Sequence, residues 1–134
     1  MTRLVLLTHG HLDALGFHDE ESRKSYFSDK SIAYCLLDNG RPVLAGGIVN
    51  FGWNRGEAWL LPTPWFYTHP KTCLKYAKEV LPMMARRGKF KRVQATCATS
   101  ISPSLFRHLG FYSEGILNAF GPNGEACFMY ARIF

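Results

Sequence analysis

The sequence lacks several patterns that would assign a function class directly. Its four cysteines, Cys35, Cys73, Cys97 and Cys127, are widely spaced, which excludes the close Cys or Cys/His pairs of zinc and redox motifs. No run approaches the ~20 apolar residues of a membrane span, and the N-terminal RLVLLTHGHLDAL offers only a four-residue apolar run, too short for a signal peptide. There is no internal repeat and no low-complexity segment. We therefore expect reduced thiols, mostly buried, in a cytoplasmic protein.

The sequence does have enough apolar residues for a core. Hydrophobic residues make up 47% and aromatic residues 14% of the 134 residues. A domain of this length buries roughly two thirds of the surface that its unfolded chain exposes. We expect one domain over residues 1–134, ordered nearly from end to end.

Acidic residues are scarce relative to basic ones, with 10 against 16 and a net charge of +6. The excess is concentrated between Lys71 and Arg92, where eight basic residues accompany the single acid Glu79. Such a block can bind phosphates of a cofactor or of nucleic acid, or it can be an ordinary solvated surface. Because the sequence has no motif for reading bases, we rank nucleic-acid binding last.

Turn residues and hydrophobic periodicity predict several strands in the first half of the chain. A short strand at residues 3–8 and a short helix in HDEESRKSYF come first. Two strand-type runs then flank Asp-Asn-Gly at 38–40, a strong hairpin signal. Gly46 and Gly47 indicate a bulge or a close backbone approach. Asn-Arg-Gly at 54–56 predicts a second turn, and GEAWLL the third strand of this meander.

The second half is predicted to alternate helix and strand. PTPWFYTHP is an aromatic-rich connection, because its three prolines exclude a regular central strand throughout. Residues 71–87 are predicted to form an amphipathic helix that Pro82 kinks and Gly88 ends. FKRVQATCAT predicts a strand, and LFRHL predicts a short helix capped by Ser100 or Ser102. The last two strand-type runs, FYSEGILNAF and EACFMYARIF, predict a hairpin. The strand after the long helix should run parallel to the strand before it, through a right-handed crossover. The fold class is therefore α/β (α+β), a mixed sheet with helices on its faces.

Three parts of the sequence together resemble the GNAT superfamily of N-acyltransferases. They are VQATCATSISPSLFRHLGF with residues 112–115, the hairpin at 38–40, and GEAWLL. The resemblance covers about residues 31–134, and the first 30 residues are compatible with the family's first helices. It implies a mostly antiparallel sheet with a central pair of splayed parallel strands. It also implies acyl transfer from an acyl-coenzyme A, acetyl-CoA first, to an unknown amine of a small molecule or protein.

Within that superfamily the chain is similar to short GNAT-like proteins of tailed bacteriophages, including internal virion proteins of podoviruses. The features that carry this similarity are the Gly-Gly hairpin, the Ala-Trp strand, a Thr-containing loop, the His-Pro-Lys helix start and the final FGPNGEACFMYAR. It implies a host-cytoplasmic or virion location.

The resemblance implies a cofactor site as well. Strands ending near Leu61 and Ala98 would leave a slot for the pantetheine arm. The amides of Thr72 and Cys73 at the helix start, aided by lysines, would hold phosphates. The implied cofactor-binding residues are Leu61, Thr63, Lys71, Thr72, Lys75, Thr99, Ser100 and Phe106, and no metal is expected.

Acyl transfer needs a base for the ammonium proton and a donor for the leaving thiolate. Glu57, at the start of the Ala-Trp strand, is the base candidate, because carboxylates on that strand serve in several GNAT enzymes. Tyr112 is the donor candidate, since Phe106 occupies the position where the family often has tyrosine. The alternatives are a turn-end acid and a structural strand tyrosine. His69 and His108 are further titratable candidates, with ordinary helical positions as the alternative.

Aromatic residues are expected near the cleft, where they would line an acceptor pocket, stack bases, or serve as core and subunit-interface anchors. They are Trp53, Trp59, Trp65, Phe66 and Tyr67.

Departures from the family pattern leave a second hypothesis open. The usual loop before the long helix, Gln/Arg-x-x-Gly-x-Gly/Ala, is Thr-His-Pro-Lys-Thr at 68–72 here, without glycine, and Pro70 has no N–H to donate. Thr99 stands where asparagine is usual. The alternative is a catalytically silent GNAT-fold phage protein that acts as a structural or internal virion protein or binds a host protein. Either hypothesis is compatible with a homo-oligomer.

Overall fold

The computed structural model describes residues 1–61, 63–98 and 103–134. In chain order the elements are β1 (Thr2–Leu6), α1 (His9–Ala14), α2 (Glu20–Tyr26), β2 (Ile32–Asp38), β3 (Arg41–Gly52), β4 (Arg55–Leu61), α3 (Pro64–Thr68), α4 (Pro70–Arg87), β5 (Arg92–Ala98), α5 (Ser104–His108), β6 (Tyr112–Leu117) and β7 (Cys127–Ile133). Across these ranges seven strands form one sheet in the order β1-β2-β3-β4-β5-β7-β6. Only β4 and β5 pair in parallel among them. The predicted mixed fold class is confirmed.

The two predicted hairpins of the first half are present. Between β2 and β3, Asn39 and Gly40 have φ angles of 50° and 80°, as a two-residue type I′ turn requires. Between β3 and β4 the turn residues are Trp53 and Asn54, with φ angles of 55° and 59°. The second turn thus begins one residue earlier than the predicted Asn-Arg-Gly.

The two adjacent glycines of β3 mark a close backbone approach rather than a bulge. A Cβ on Gly47 would lie 2.3 Å from the carbonyl oxygen of Ile32 on β2, and one on Gly46 would lie 3.0 Å from the carbonyl oxygen of Trp59 on β4. The register is regular at both glycines, and the irregularities lie at residues 36–37 and 50–52. Side chains at either position would therefore push β3 away from its neighbours.

Short helices occur where the sequence indicated none. α1 begins at a capping box in which the Thr8 side chain accepts from the backbone N–H of His11, and the His11 ring accepts from the N–H of Thr8. The stretch predicted as a connection between strand and helix contains α3, a short helix that the sequence did not indicate. The long helix was predicted correctly and continues through Pro82.

Gly88 is the C-cap of α4, so the prediction that it ends the helix is confirmed. Gly88 has a right-handed φ of −80°, and Lys89 takes the left-handed conformation with φ of 56°. Gly88 is needed for space, because a Cβ there would lie 2.2 Å from the ring of Phe90.

Helices cover both faces of the sheet, as expected. On the face of α4, the core includes Ile48, Leu81, Met84, Phe90 and Val93. On the opposite face, under α1 and α2, it includes Leu7, Leu12, Ala33, Cys35 and Ala45. The four cysteines are free, three are buried and Cys97 is partly exposed, so the expectation of reduced, mostly buried thiols is confirmed. Within the described ranges no helix has the length and apolar character needed to cross a bilayer.

Candidate functional site

The parallel strands β4 and β5 pair over three positions and then part. Their pairs are Arg55 with Arg92, Gly56 with Val93, and Glu57 with Gln94. Beyond Glu57, β4 continues along β3 alone, and β5 continues along β7 alone. Since paired strands lie about 4.8 Å apart, the end of this pairing marks where the sheet opens. The predicted splayed pair is confirmed.

A cavity of about 730 Å³ occupies the opening. Three consecutive residues of β5 line it, Ala95, Thr96 and Cys97, as do Glu57 and Ala58 of β4. Successive residues of a strand point to opposite faces of a sheet. The cavity therefore reaches both faces through the gap. Side chains of α4 and α5 form its wall on one face, and side chains of α2 and β3 form its wall on the other.

Glu57 is the one charged side chain among the described residues that line the cavity. Burial in these largely apolar surroundings raises the pKa of its carboxyl above the usual range for glutamate. Its carboxylate forms no salt bridge with any described residue. A partly buried carboxylate without a cationic partner is suited to accept a proton from a ligand.

An aromatic pair forms the wall next to Glu57. Trp59 lies two residues further along β4, on the same face of the sheet, and its ring stacks on Tyr26 of α2 at a centroid distance of 3.6 Å and an angle of 8°. The indole nitrogen Nε1 of Trp59 is buried and has no partner within the described chain. Sequence reasoning missed Tyr26, because it lies in the polar, mixed-charge segment that reads only as a surface helix.

Phe106 lines the cavity on the α5 side. Its ring stacks on Tyr130 at 4.5 Å and 3°, and meets Phe111 edge to face at 5.9 Å. Burial raises the pKa of the Tyr130 hydroxyl. The side chain predicted for cofactor binding thus contributes an apolar, fixed wall and no proton donor.

The start of α4 lies beside the cavity, since Cys73 of its first turn lines it. Lys71 and Lys75 are exposed and one helical turn apart, and Thr72 is partly buried. The backbone N–H of Cys73 donates to the carbonyl oxygen of His69 at 3.1 Å. The expectation that this amide binds phosphate is therefore corrected, and Lys71 and Thr72 are the first-turn residues whose amides have no acceptor within the helix.

Two predicted cofactor contacts have structural roles instead. The Thr63 hydroxyl donates to the carbonyl oxygen of Val43 at 2.6 Å and accepts from the N–H of Phe66 at 3.2 Å, so it caps α3. Leu61 packs in the core cluster of the α1 and α2 face and does not line the cavity. Predicted Thr99 and Ser100 lie outside the described residues.

Tyr112 and Glu57 are not brought together. Tyr112 pairs with Ala131, Ala131 with Gln94, and Gln94 with Glu57. Three strand spacings separate the two backbones by about 14 Å. The Tyr112 side chain is 49% exposed and does not line the cavity. The prediction that these two residues act as one base and donor pair is corrected, because β5 and β7 lie between their strands.

The five aromatic residues expected at the cleft are distributed over three places. Trp59, Phe66 and Tyr67 line the cavity. Trp65 instead stacks on the His69 ring at 4.2 Å. Trp53 stands in the β3–β4 turn at the beginning of β4, and 88% of it is exposed.

The two histidines singled out from the sequence do not join the cavity. His69 and His108 are exposed at helix ends and do not line it. Across residues 1–61, 63–98 and 103–134, no group of three or more His, Cys, Asp or Glu is placed to hold a metal ion.

No family model matches the sequence, and no curated protein matches it. Solved structures do match. The ribosomal-protein-S18-alanine N-acetyltransferase from Escherichia coli has a TM-score of 0.81 at 14% identity, with 99% of this chain and 94% of that one covered. The ribosomal-protein-S5-alanine acetyltransferase from Vibrio fischeri has a TM-score of 0.75 at 12% identity, covering 98% and 92%.

A third matching structure is described as a member of the GNAT family. The acetyltransferase of the GNAT family from Streptococcus pneumoniae has a TM-score of 0.71 at 15% identity, with 98% of this chain and 100% of that one covered. Similarity at such low identity establishes a fold. The chain folds as GNAT N-acetyltransferases do.

Proposed function

We propose that the protein is an acyl-CoA-dependent N-acyltransferase, with acetyl-CoA as the first donor to test. The observation that supports it most strongly is the cavity that crosses the sheet at the β4–β5 gap and holds a single carboxylate, that of Glu57. A passage open to both faces lets a thioester approach from one side and an amine from the other. The fold shared with N-acetyltransferases supports the same reaction class.

Two surfaces of the protein fit two parts of an acyl-CoA, the pantetheine arm and the pyrophosphate. The gap between β4 and β5 offers unpaired strand edges to the amides of a pantetheine arm. At the start of α4, Lys71 and Lys75 are free of ion pairs with described residues and stand beside first-turn amides, a suitable surface for a pyrophosphate. When bound, an acyl-CoA supplies an activated thioester carbonyl.

Glu57 acts in this proposal as the general base. An amine enters the cavity as its ammonium ion, and the carboxylate of Glu57 takes one proton from it, directly or through a water molecule. Because burial raises the pKa of Glu57, the carboxylate is a stronger base than an exposed glutamate. Thr96 and Cys97 are the described residues of β5 that line the cavity and carry a hydroxyl or a thiol group. They replace Tyr112 as candidate donors to the leaving thiolate.

The cavity wall indicates the kind of amine. One carboxylate can pair with one ammonium group, and the stacked rings of Trp59 and Tyr26 offer an apolar and aromatic surface beside it. A polyamine would need further carboxylates, and the protein's net charge of +6 would oppose its approach. We therefore propose an acceptor with one charged amine and an apolar or aromatic substituent.

The test has two stages. Isothermal titration with acetyl-CoA should show saturable binding, and an assay for released thiol should show turnover with phenethylamine that exceeds turnover with spermidine. A protein that gives no heat at millimolar acetyl-CoA is not an acetyl-CoA-dependent enzyme. Binding without turnover over a broad panel of amines and acyl donors would leave the acyltransferase proposal without support.

That second outcome would favour the catalytically silent alternative. Phe106 as an apolar wall and Pro70 at the start of α4 are the observations on its side. Under this alternative the protein is a phage structural or internal virion protein, or binds a host protein. Mass spectrometry of purified virions would detect a packaged protein directly.

A further inference from the structure

A second cleft, of about 360 Å³, lies where the β3–β4 turn meets the end of α4. Its lining includes Lys30, Trp53, Asn54, Arg87 and Lys89. No acidic residue lines it within the described chain. It is separate from the acyl-transfer cavity, with which it shares no lining residue.

Three cations face this cleft without partners of opposite charge. Lys30, Arg87 and Lys89 are all exposed, and none of them is in a salt bridge with a described residue. The guanidinium of Arg87 donates to the hydroxyl of Tyr34 at 2.8 Å, which holds it in place. Asp29, exposed next to Lys30 in sequence, is the nearby acid. The side chains that line the cleft therefore include three positive charges and, among the described residues, no negative one.

Trp53 is the unusual residue of the cleft. It occupies the first turn position at φ of 55°, a conformation that favours Asn, Asp or Gly and is rare for a bulky side chain. Its ring is 88% exposed, so packing does not explain its presence there. The guanidinium carbon of Arg55 lies 5.0 Å from the ring centroid. A strained backbone that displays a large flat ring to solvent points to a ligand for that ring.

Left-handed backbone conformations are concentrated at the same place. The described chain has six residues other than glycine with positive φ. Four of them, Lys30, Trp53, Asn54 and Lys89, line this one cleft. Positions of this kind cluster at ligand-binding sites. The unpaired cations, the exposed ring of Trp53 and the left-handed backbone conformations therefore all indicate a ligand-binding site at this cleft.

We propose that this cleft binds single-stranded nucleic acid, with a base stacked on Trp53 and phosphates held by Lys30, Arg87 and Lys89. Proteins that bind single strands without sequence preference combine a cationic groove with exposed aromatic rings. An acidic protein segment would use the cations and would have no need of the ring. The site does not depend on the proposed acyl transfer, and the absence of base-reading motifs agrees with binding that ignores sequence.

The first test is fluorescence anisotropy of the full-length protein with a fluorescein-labelled 12-nucleotide oligouridine. With three cations on the phosphates, log K should fall with log salt concentration at a slope of about −2. The triple variant Lys30→Ala, Arg87→Ala and Lys89→Ala should bind far more weakly. The matched control, Arg3→Ala with Arg41→Ala and Arg107→Ala, removes the same charge elsewhere and should bind nearly as well as the parent. Equal losses in both triples would overturn the proposal, since only net charge would then matter.

The second test uses Trp53→Asn, which places a favoured residue in the type I′ turn. It should weaken oligouridine binding about fivefold to a hundredfold, the range for loss of one stacked base, while the melting temperature stays the same or rises. Unchanged affinity would refute the stacking role. Binding of polyglutamate as tight as that of oligouridine would also overturn the proposal. Sedimentation that shows a dimer, converted to a monomer by Trp53→Asn, would overturn it as well.

Discussion

Replacement of Glu57 by glutamine tests the proposed catalytic site most directly. The change keeps the side chain's shape and removes the carboxylate that faces the cavity. Loss of a positioned general base costs about 10²- to 10⁴-fold in rate, which corresponds to about 3 to 5.5 kcal/mol of barrier. We expect kcat/KM to fall within that range while the dissociation constant of acetyl-CoA is unchanged, because the pyrophosphate surface at the start of α4 is untouched.

The pH dependence gives a second readout from the same pair of proteins. Burial raises the pKa of Glu57, so the base becomes active only above the range of an exposed glutamate. The activity of the parent should rise through that raised pKa, and the glutamine variant should lack this step. The free energy of unfolding changes in the opposite direction with pH. The folded state favours the protonated carboxyl of Glu57, and this stabilising contribution is lost as pH rises through the folded pKa. Glu57→Gln should therefore gain stability relative to the parent as pH increases.

Thiol release measured from pH 5 to 9, with urea unfolding at the two ends of the range, checks both expectations. Glu79→Gln is the matched control, since Glu79 is exposed on α4 outside the cavity. If Glu57→Gln keeps most of the parent's kcat/KM with the same pH profile, Glu57 is not the base. If stability changes with pH identically in both proteins, burial of this carboxylate has no energetic consequence and the reasoning fails.

Further predictions concern the sheet and its surroundings. Gly47→Ala should lower the free energy of unfolding by about 1–3 kcal/mol, because the added Cβ would meet the backbone of β2. Gly10→Ala in α1 should instead raise the free energy of unfolding by about 0.5–1 kcal/mol. Urea unfolding of both variants measures the two effects. The guanidinium of Arg92 lowers the pKa of the Glu114 carboxyl, so the pair stabilises the fold above the usual carboxyl pKa and loses this effect as pH falls through the lowered value. Melting temperatures of Glu114→Gln and the parent should differ at pH 7 and converge in acid; a constant difference would contradict this. Cys97 lines the cavity and is partly exposed, so coenzyme A should slow its alkylation, measured by mass spectrometry, and equal rates with and without coenzyme A would argue against binding in the gap.

Local patterns were sufficient for much of the fold. The turn at Asn39-Gly40, the strand GEAWLL and the helix after Pro70 each have a signal within a few residues, and a helix between two strands constrains those strands to lie parallel. α1 and α3 were missed because helices of six and five residues are too short for periodicity to show, and packing supplies most of their stability.

The candidate site was only partly predictable. Glu57 and Phe106 do line the cavity, as the sequence suggested. The stacking of Tyr26 on Trp59 joins residues of α2 and β4 that no spacing rule connects. The position of Tyr112 relative to Glu57 depends on strand order, which places β5 and β7 between their strands.

By itself, the sequence determined the strands, the helices other than α1 and α3, the positions of the hairpin turns to within one residue, and the basic helix that follows GEAWLL. These features depend on backbone preferences and on apolar periodicity, both of which act over a few residues. The tertiary structure alone decided that the sheet opens after Glu57, that Tyr112 is remote from it, and that Trp53 stands beside Lys30, Arg87 and Lys89. Those relations join residues far apart in the chain, and only the register and order of the strands bring them together.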